Sequence, residues 1–235
     1  MKYKMKKSAF TMMELIFVII VIGILSAVFI PKFGSNNLSQ AANQVISHIR
    51  YTQQLALMED KYDVKDPLWF LERWTIRFKK DLVYSTLSPN GTYLGRWSYS
   101  IYSDNSHDGN PNTSEMATNP LNNNQYLSGG YNNTLHVEDT HSMKELRLGE
   151  KYNINDIVFS GGCRSNILYI NFDHLGRPSN SFPTNSPYEL PSSGFHKLLT
   201  QRCDITLCTS SCAIASANEK VTISIEPETG YVHLL

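Results

Sequence analysis

Oxygen-bearing residues recur through the segment DNSHDGNPNTSE, residues 104 to 115. The candidate cation ligands among them are Asp104, Ser106, Asp108, Asn110, Asn112 and Glu115. Hard oxygen ligands at alternating positions can wrap around a cation, and Gly109 permits the sharp turn between them, so the spacing predicts a calcium-binding loop. Pro111 and the lack of helical flanks favour the alternative, a solvated Asn- and Asp-rich loop without a metal.

The chain has four cysteines, Cys163, Cys203, Cys208 and Cys212. In an oxidising compartment they should pair, and three connectivities are open. Cys208 and Cys212 are close enough for a short staple, which favours a second bond between Cys163 and Cys203. The alternative is a zinc ion held by four thiolates, but the cysteines do not form two C-x2-C pairs.

No group of residues indicates catalysis. The seven histidines are scattered, without an H-x3-H or H-E-x-x-H pair. Nucleophile-elbow, phosphate-loop and dinucleotide fingerprints are also missing. We therefore predict no catalytic residues, no enzymatic activity and no small-molecule substrate, with calcium as the one candidate cofactor.

Charge is distributed unevenly along a chain whose formal net charge is zero. Residues 1–9 contain four lysines and no acid, which leaves 17 basic against 21 acidic residues in the remainder. That balance does not predict a basic nucleic-acid binder.

Glu14 stands at the edge of an apolar run. Of the 16 residues in Leu15–Ile30, 13 are Leu, Ile, Val or Phe, and none is charged. Extended through Phe33, the run approaches the roughly 20 residues that cross a bilayer as a helix. It therefore predicts a single-pass transmembrane helix, with the lysines on the cytoplasmic side. A cleaved secretory signal is the alternative, but polar residues continue in helical register after the run.

The elements that would position these residues follow from periodicity. A mild apolar stripe at spacings of four and three predicts an amphipathic helix; its members are Leu38, Ala42, Val45, Ile49, Thr52 and Ala56. The simplest interpretation is one long helix from Phe10 to about Asp60, loosened near Pro31. Alternating patterns after residue 67 predict strands, with a long loop over 104–133. The predicted fold class is α+β: a long N-terminal helix, transmembrane and then amphipathic, followed by an antiparallel β-sheet domain.

The segment SAFTMMELIFVIIVIGILSAVFIPKF resembles the class III signal of type IV pilins and type II secretion pseudopilins. The resemblance implies leader cleavage between Ala9 and Phe10, N-methylation of Phe10, and assembly roles for Glu14 and Pro31. Ala9 departs from the family, which has glycine before the cut. The implied organisation is a leader over 1–9, a transmembrane helix over 10–33, an amphipathic continuation over 34–61 and a periplasmic globular domain over 62–235.

Three later segments resemble H-type minor pseudopilins and related minor pilins: HIRYTQQLALMEDKY (48–62), INFDHLGRPSN (170–180) and VTISIEPETGYVHLL (221–235). The implied function is that of a structural minor subunit of a secretion pseudopilus or type IV pilus. The implied location is the bacterial inner membrane, with the C-terminal domain in the periplasm, and then the filament. The implied partners are other pilins, the prepilin peptidase and an inner-membrane assembly platform. The alternative is a pilus-associated module that binds DNA or a surface ligand.

Overall fold

The computed structural model describes residues 11–29, 33–80, 96–130, 135–180 and 198–235. The α-helices in these ranges are α1 (Met12–Phe29), α2 (Phe33–Met58) and the single turn α3 (Leu148–Lys151). The strands are β1 (Trp74–Lys79), β2 (Ser98–Ser103), β3 (Thr118–Asn119), β4 (Asn122–Tyr126), β5 (Asp156–Gly161), β6 (Tyr169–Phe172), β7 (Pro178–Ser179), β8 (Cys203–Cys208), β9 (Lys220–Ile225) and β10 (Val232–Leu234).

The strands form two four-stranded antiparallel sheets and one hairpin. The first sheet has the order β2-β1-β6-β7, the second has the order β10-β9-β8-β5, and β3 pairs with β4. The hairpin lies inside the stretch that the sequence predicts to be a loop, 104–133. That prediction missed it because asparagine-rich strands lack the apolar alternation by which strands are recognised.

The predicted fold class is wrong. In place of the predicted long apolar N-terminal helix, the described residues form three shorter α-helices, α1, α2 and α3. Helices α1 and α2 are followed by a domain built mostly from β-strands. The chain divides into two compact units, Met1–Asn36 and Asn37–Leu235.

The predicted transmembrane helix is also wrong. Within the described ranges, no helix has the length and apolar character needed to cross a bilayer. The 18 residues of α1 cover about 27 Å at a rise of about 1.5 Å per residue, whereas the hydrocarbon layer is about 30 Å thick. The predicted extension through Phe33 depends on residues 30–32, which lie outside the described ranges. The inner-membrane, single-pass location was inferred from that helix, and that prediction is therefore wrong as well.

Helix α2 supplies one face of the core in the second unit. All six residues of the predicted stripe, from Leu38 to Ala56, are buried. Five of them, all except Thr52, share one apolar cluster with side chains of both sheets, in which the rings of Phe78 and Phe159 meet edge to face at 5.8 Å. The period of three and four residues therefore indicates correctly which side of α2 is buried.

Two turns of the β domain are held by the same side chain of α2. Gln53 Nε2 donates to the carbonyl oxygens of Gly176, at 2.8 Å, and Thr229, at 2.7 Å. One turn further back, Arg50 donates to the carbonyl oxygen of Val232 at 2.6 Å. Gly176 and Gly230 both have positive φ, of 74° and 64°, as the turn chemistry in their segments predicts. The helix thus connects the first sheet, through the 173–177 turn, to the second, through the 226–231 turn.

Asp173 stabilises the first of these turns from inside. Its Oδ1 accepts the backbone N–H groups of Leu175, at 3.0 Å, and Arg177, at 2.8 Å. Its Oδ2 accepts the Arg177 Nε at 2.8 Å. The Asp-x-x-Gly-Arg spacing therefore produces a locally closed turn that presents the Gly176 carbonyl oxygen to α2.

Gly230→Ala is expected to destabilise the chain by about 2 kcal/mol, because it combines a left-handed backbone with a backbone clash. An added Cβ would lie 2.8 Å from the Gly176 carbonyl oxygen and would also meet the side-chain amide of Gln53. The control is Gly109→Ala, where φ is 79° but nothing lies within 4 Å of the added Cβ, so only the cost of the backbone conformation, about 1 kcal/mol, applies. Chemical unfolding of both variants checks the difference. Equal losses would show that the contact with the Gly176 turn contributes nothing.

Candidate functional site

Helix α1 exposes apolar side chains on every side. The exposed fractions of the large apolar residues from Leu15 to Ile24 range from 37% to 69%. A helix that is apolar all round is normally buried against other elements or other chains. The described part of α1 therefore presents a continuous apolar surface, which is a candidate interaction site.

Glu14 belongs to a reciprocal cap at the start of α1. The backbone N–H of Thr11 donates to Glu14 Oε2 at 3.4 Å, and the Glu14 N–H donates to Thr11 Oγ1 at 3.3 Å. This Thr-x-x-Glu arrangement is a capping box, in which the two side chains each accept a backbone N–H at the start of the helix. The sequence analysis assigns Glu14 to assembly alone, although the Thr-x-x-Glu signal for a cap is visible in the sequence.

The other assembly residues fall outside this description. The leader, the cleavage pair Ala9 and Phe10, and Pro31 all lie outside the described residues. Their roles remain predictions from the resemblance.

The 104–115 segment folds around two carboxylates. Asp104 is 2% exposed, and its Oδ2 accepts the backbone N–H of Gly109 at 2.8 Å. Glu115 is 7% exposed, and its two oxygens accept the N–H groups of Ser106 and Asn112, each at 2.7 Å. Asn112 Nδ2 also donates to Ser106 Oγ at 3.1 Å. Four of the six predicted calcium ligands are therefore brought together by hydrogen bonds within the loop.

The remaining two predicted ligands form a separate turn. Asp108 Oδ1 accepts the backbone N–H of Asn110 at 2.7 Å. Burial raises the pKa of Asp104, and the neighbouring carboxylates of Glu115 and Asp108 raise it further, against the lowering effect of the Gly109 hydrogen bond. A hard cation would relieve that repulsion, since each carboxylate retains acceptor capacity beyond these N–H groups. Calcium binding stays a prediction, and a loop closed by its own N–H donors stays the alternative.

The cysteines form two disulfides, Cys163–Cys203 and Cys208–Cys212. This is the pairing that the sequence analysis favours. The first bond ties the end of β5 to the start of β8, and the second closes a short loop after β8. Because all four sulfurs are in disulfides, the alternative zinc site with four thiolates is not formed.

Comparisons of this chain with protein-family models, curated proteins and solved structures find no match.

Proposed function

We propose that this chain is a structural filament subunit of the pilin and pseudopilin class, which assembles through helix α1. The observation that carries the proposal is the apolar surface of α1, exposed on all sides and beginning at a cap that contains Glu14. Helices of neighbouring copies or sister subunits are the occupants that this surface fits, because packed helices bury apolar side chains all round. The N-terminal segment that resembles the class III signal supports the same class.

The charge of Glu14 supports a specific register between subunits. Cleavage before Phe10 would create an amine four residues from Glu14, at the start of an apolar helix. Burial of one charge between apolar helices is costly, whereas an amine paired with a neighbour's carboxylate is far less so. A carboxylate has two oxygens with several lone pairs, so the Thr11 cap and an intersubunit pair can coexist. In this arrangement, Glu14 both begins its own helix and sets the axial position of the next one.

Glu14→Gln is expected to abolish incorporation into filaments while leaving α1 intact. Glutamine at the third position of a capping box still accepts the Thr11 N–H, so only the charge is lost. Incorporation is measured by co-expression with a prepilin peptidase and an assembly system, followed by recovery of sheared filaments. Glu14→Ala, which removes the cap and the charge together, should be no less defective.

Thr11→Ser is the matched control, because serine keeps the capping oxygen and leaves Glu14 charged. It should assemble as the parent chain does. Parent-level assembly of Glu14→Gln would contradict the pairing role. The filament proposal itself fails if the parent chain keeps Met1 in cells that contain the peptidase and stays outside filaments.

A further inference from the structure

Three side chains from different parts of the sequence meet beside the 104–115 loop. Asp66 follows helix α2, Glu72 follows the 3-10 turn Trp69–Leu71, and His107 lies after β2. One ligand-capable atom of each lies within 4.8 Å of the other two. His107 Nε2 is 3.2 Å from Glu72 Oε1 and 3.7 Å from Asp66 Oδ2. One imidazole nitrogen therefore faces oxygens of two carboxylates.

The two separations from His107, 3.2 and 3.7 Å, are close to those between ligands of a small divalent ion. Bonds of about 2.0–2.1 Å in tetrahedral geometry place ligand atoms about 3.4 Å apart. One imidazole with two carboxylates suits zinc and similar first-row ions, whereas calcium takes oxygen ligands. We propose that Asp66, Glu72 and His107 bind a divalent transition-metal ion of the zinc class, with water at the remaining position.

Neighbouring groups orient the two carboxylates. The backbone N–H of Leu68 donates to Asp66 Oδ1 at 2.8 Å, which leaves Oδ2 on the side of the imidazole. Lys61, which pairs with Glu59 at 2.8 Å, also places its Nζ 4.0 Å from Glu72 Oε2, the oxygen that does not face His107. Such outer partners fix the orientation of ligands in metal sites.

The site is also reachable from solvent. The side chains of His107, Glu72 and Asp66 are 20%, 22% and 31% exposed. With neutral imidazole, the three ligands carry two negative charges, which Lys61 offsets only in part. An ion bound here would tie the segment after α2 to the loop after β2, two parts of the chain 35 to 41 positions apart in the sequence.

The alternative occupant of this position is a proton on His107, which would make a simple ion pair with the two acids. Titration of the full chain with Zn²⁺ in a calorimeter distinguishes a bound metal ion from a proton on His107. Titration with Co²⁺ adds a visible spectrum that reports coordination by nitrogen and oxygen. One ion per chain is expected, without competition from Ca²⁺.

His107→Asn and Glu72→Gln are the test variants. Asparagine tolerates the left-handed backbone of His107, where φ is 59°, so the substitution removes the imidazole with little backbone cost. Loss of an outer partner of a metal ligand weakens binding by roughly 10- to 100-fold. Each variant removes a ligand itself, so it should weaken Zn²⁺ binding by at least that factor. Circular dichroism in the presence of a chelator should show that at least one of the two variants folds as the parent chain does. The Zn²⁺ affinity of that folded variant then decides the test.

The matched control is His233→Gln. His233 Nε2 lies 3.0 Å from Glu226 Oε1, so it is a histidine–carboxylate pair of similar length outside the triad. This variant should bind Zn²⁺ as the parent chain does. The proposal is overturned if a folded His107 or Glu72 variant keeps parental affinity, or if His233→Gln loses as much.

Discussion

Replacement of Cys163 and Cys203 by alanine is expected to lower the free energy of unfolding by about 4 kcal/mol, because the disulfide closes a loop whose ends are separated by 40 residues. A cross-link of that span removes much of the freedom of the unfolded chain. Both cysteines are buried, so alanine avoids the burial of an unpaired hydroxyl that serine would introduce. Urea unfolding of the oxidised double variant against the parent chain measures the loss.

The second disulfide is the matched control. Cys208 and Cys212 lie four positions apart in the sequence, so the same loop-closure relation predicts that their removal costs only about 2 kcal/mol. Reduction of the parent chain before unfolding should give a loss close to the combined effect of both double variants. Equal losses from the two pairs would contradict an origin in loop closure and indicate that local packing dominates.

Local periodicity explains which parts of the fold are predictable. The buried side of α2 follows from residues three and four apart, and β1 and β2 follow from alternating apolar residues. The N-terminal helix is predicted less well, because an apolar run indicates that its side chains are buried but does not indicate where the helix ends. Within the described ranges the helical segments are Met12–Phe29 and Phe33–Met58, and neither has the length and apolar character of the predicted membrane-spanning helix.

Long-range contacts explain what was missed at the sites. Gln53 bonds to carbonyl groups 123 and 176 positions away, and no spacing within α2 indicates that role. His107 was grouped with scattered histidines because its partners Asp66 and Glu72 precede it by 41 and 35 positions. The capping role of Glu14 differs, since the Thr-x-x-Glu signal is local.

Acid is expected to destabilise the chain through His48. Its Nδ1 lies 2.6 Å from the Tyr99 hydroxyl oxygen, which also accepts a hydrogen bond from Gln44 Nε2 at 3.0 Å. Burial raises the pKa of Tyr99, so the phenol stays protonated and forms a hydrogen bond with His48 Nδ1. Burial lowers the pKa of His48 from 6.5 to about 4. A charged imidazolium would lose hydration in this buried site, so the folded state favours the neutral ring.

The sign and size of the effect follow from that lowered pKa. Below pH 6.5 the unfolded chain binds a proton at His48 that the folded chain does not, so stability falls as the pH drops, until about pH 4. The loss over that window is about 3 kcal/mol. Unfolding at a series of pH values should show it in the parent chain and not in His48→Gln, in which the amide oxygen can still accept from Tyr99. His233→Gln is the control, since the hydrogen bond that His233 makes to Glu226 Oε1 raises the pKa of this partly exposed histidine, so its contribution is present in acid and is lost as the pH rises. If His48→Gln keeps the acid loss of the parent chain, the destabilising proton binds elsewhere and the neutral His48–Tyr99 bond is not its cause.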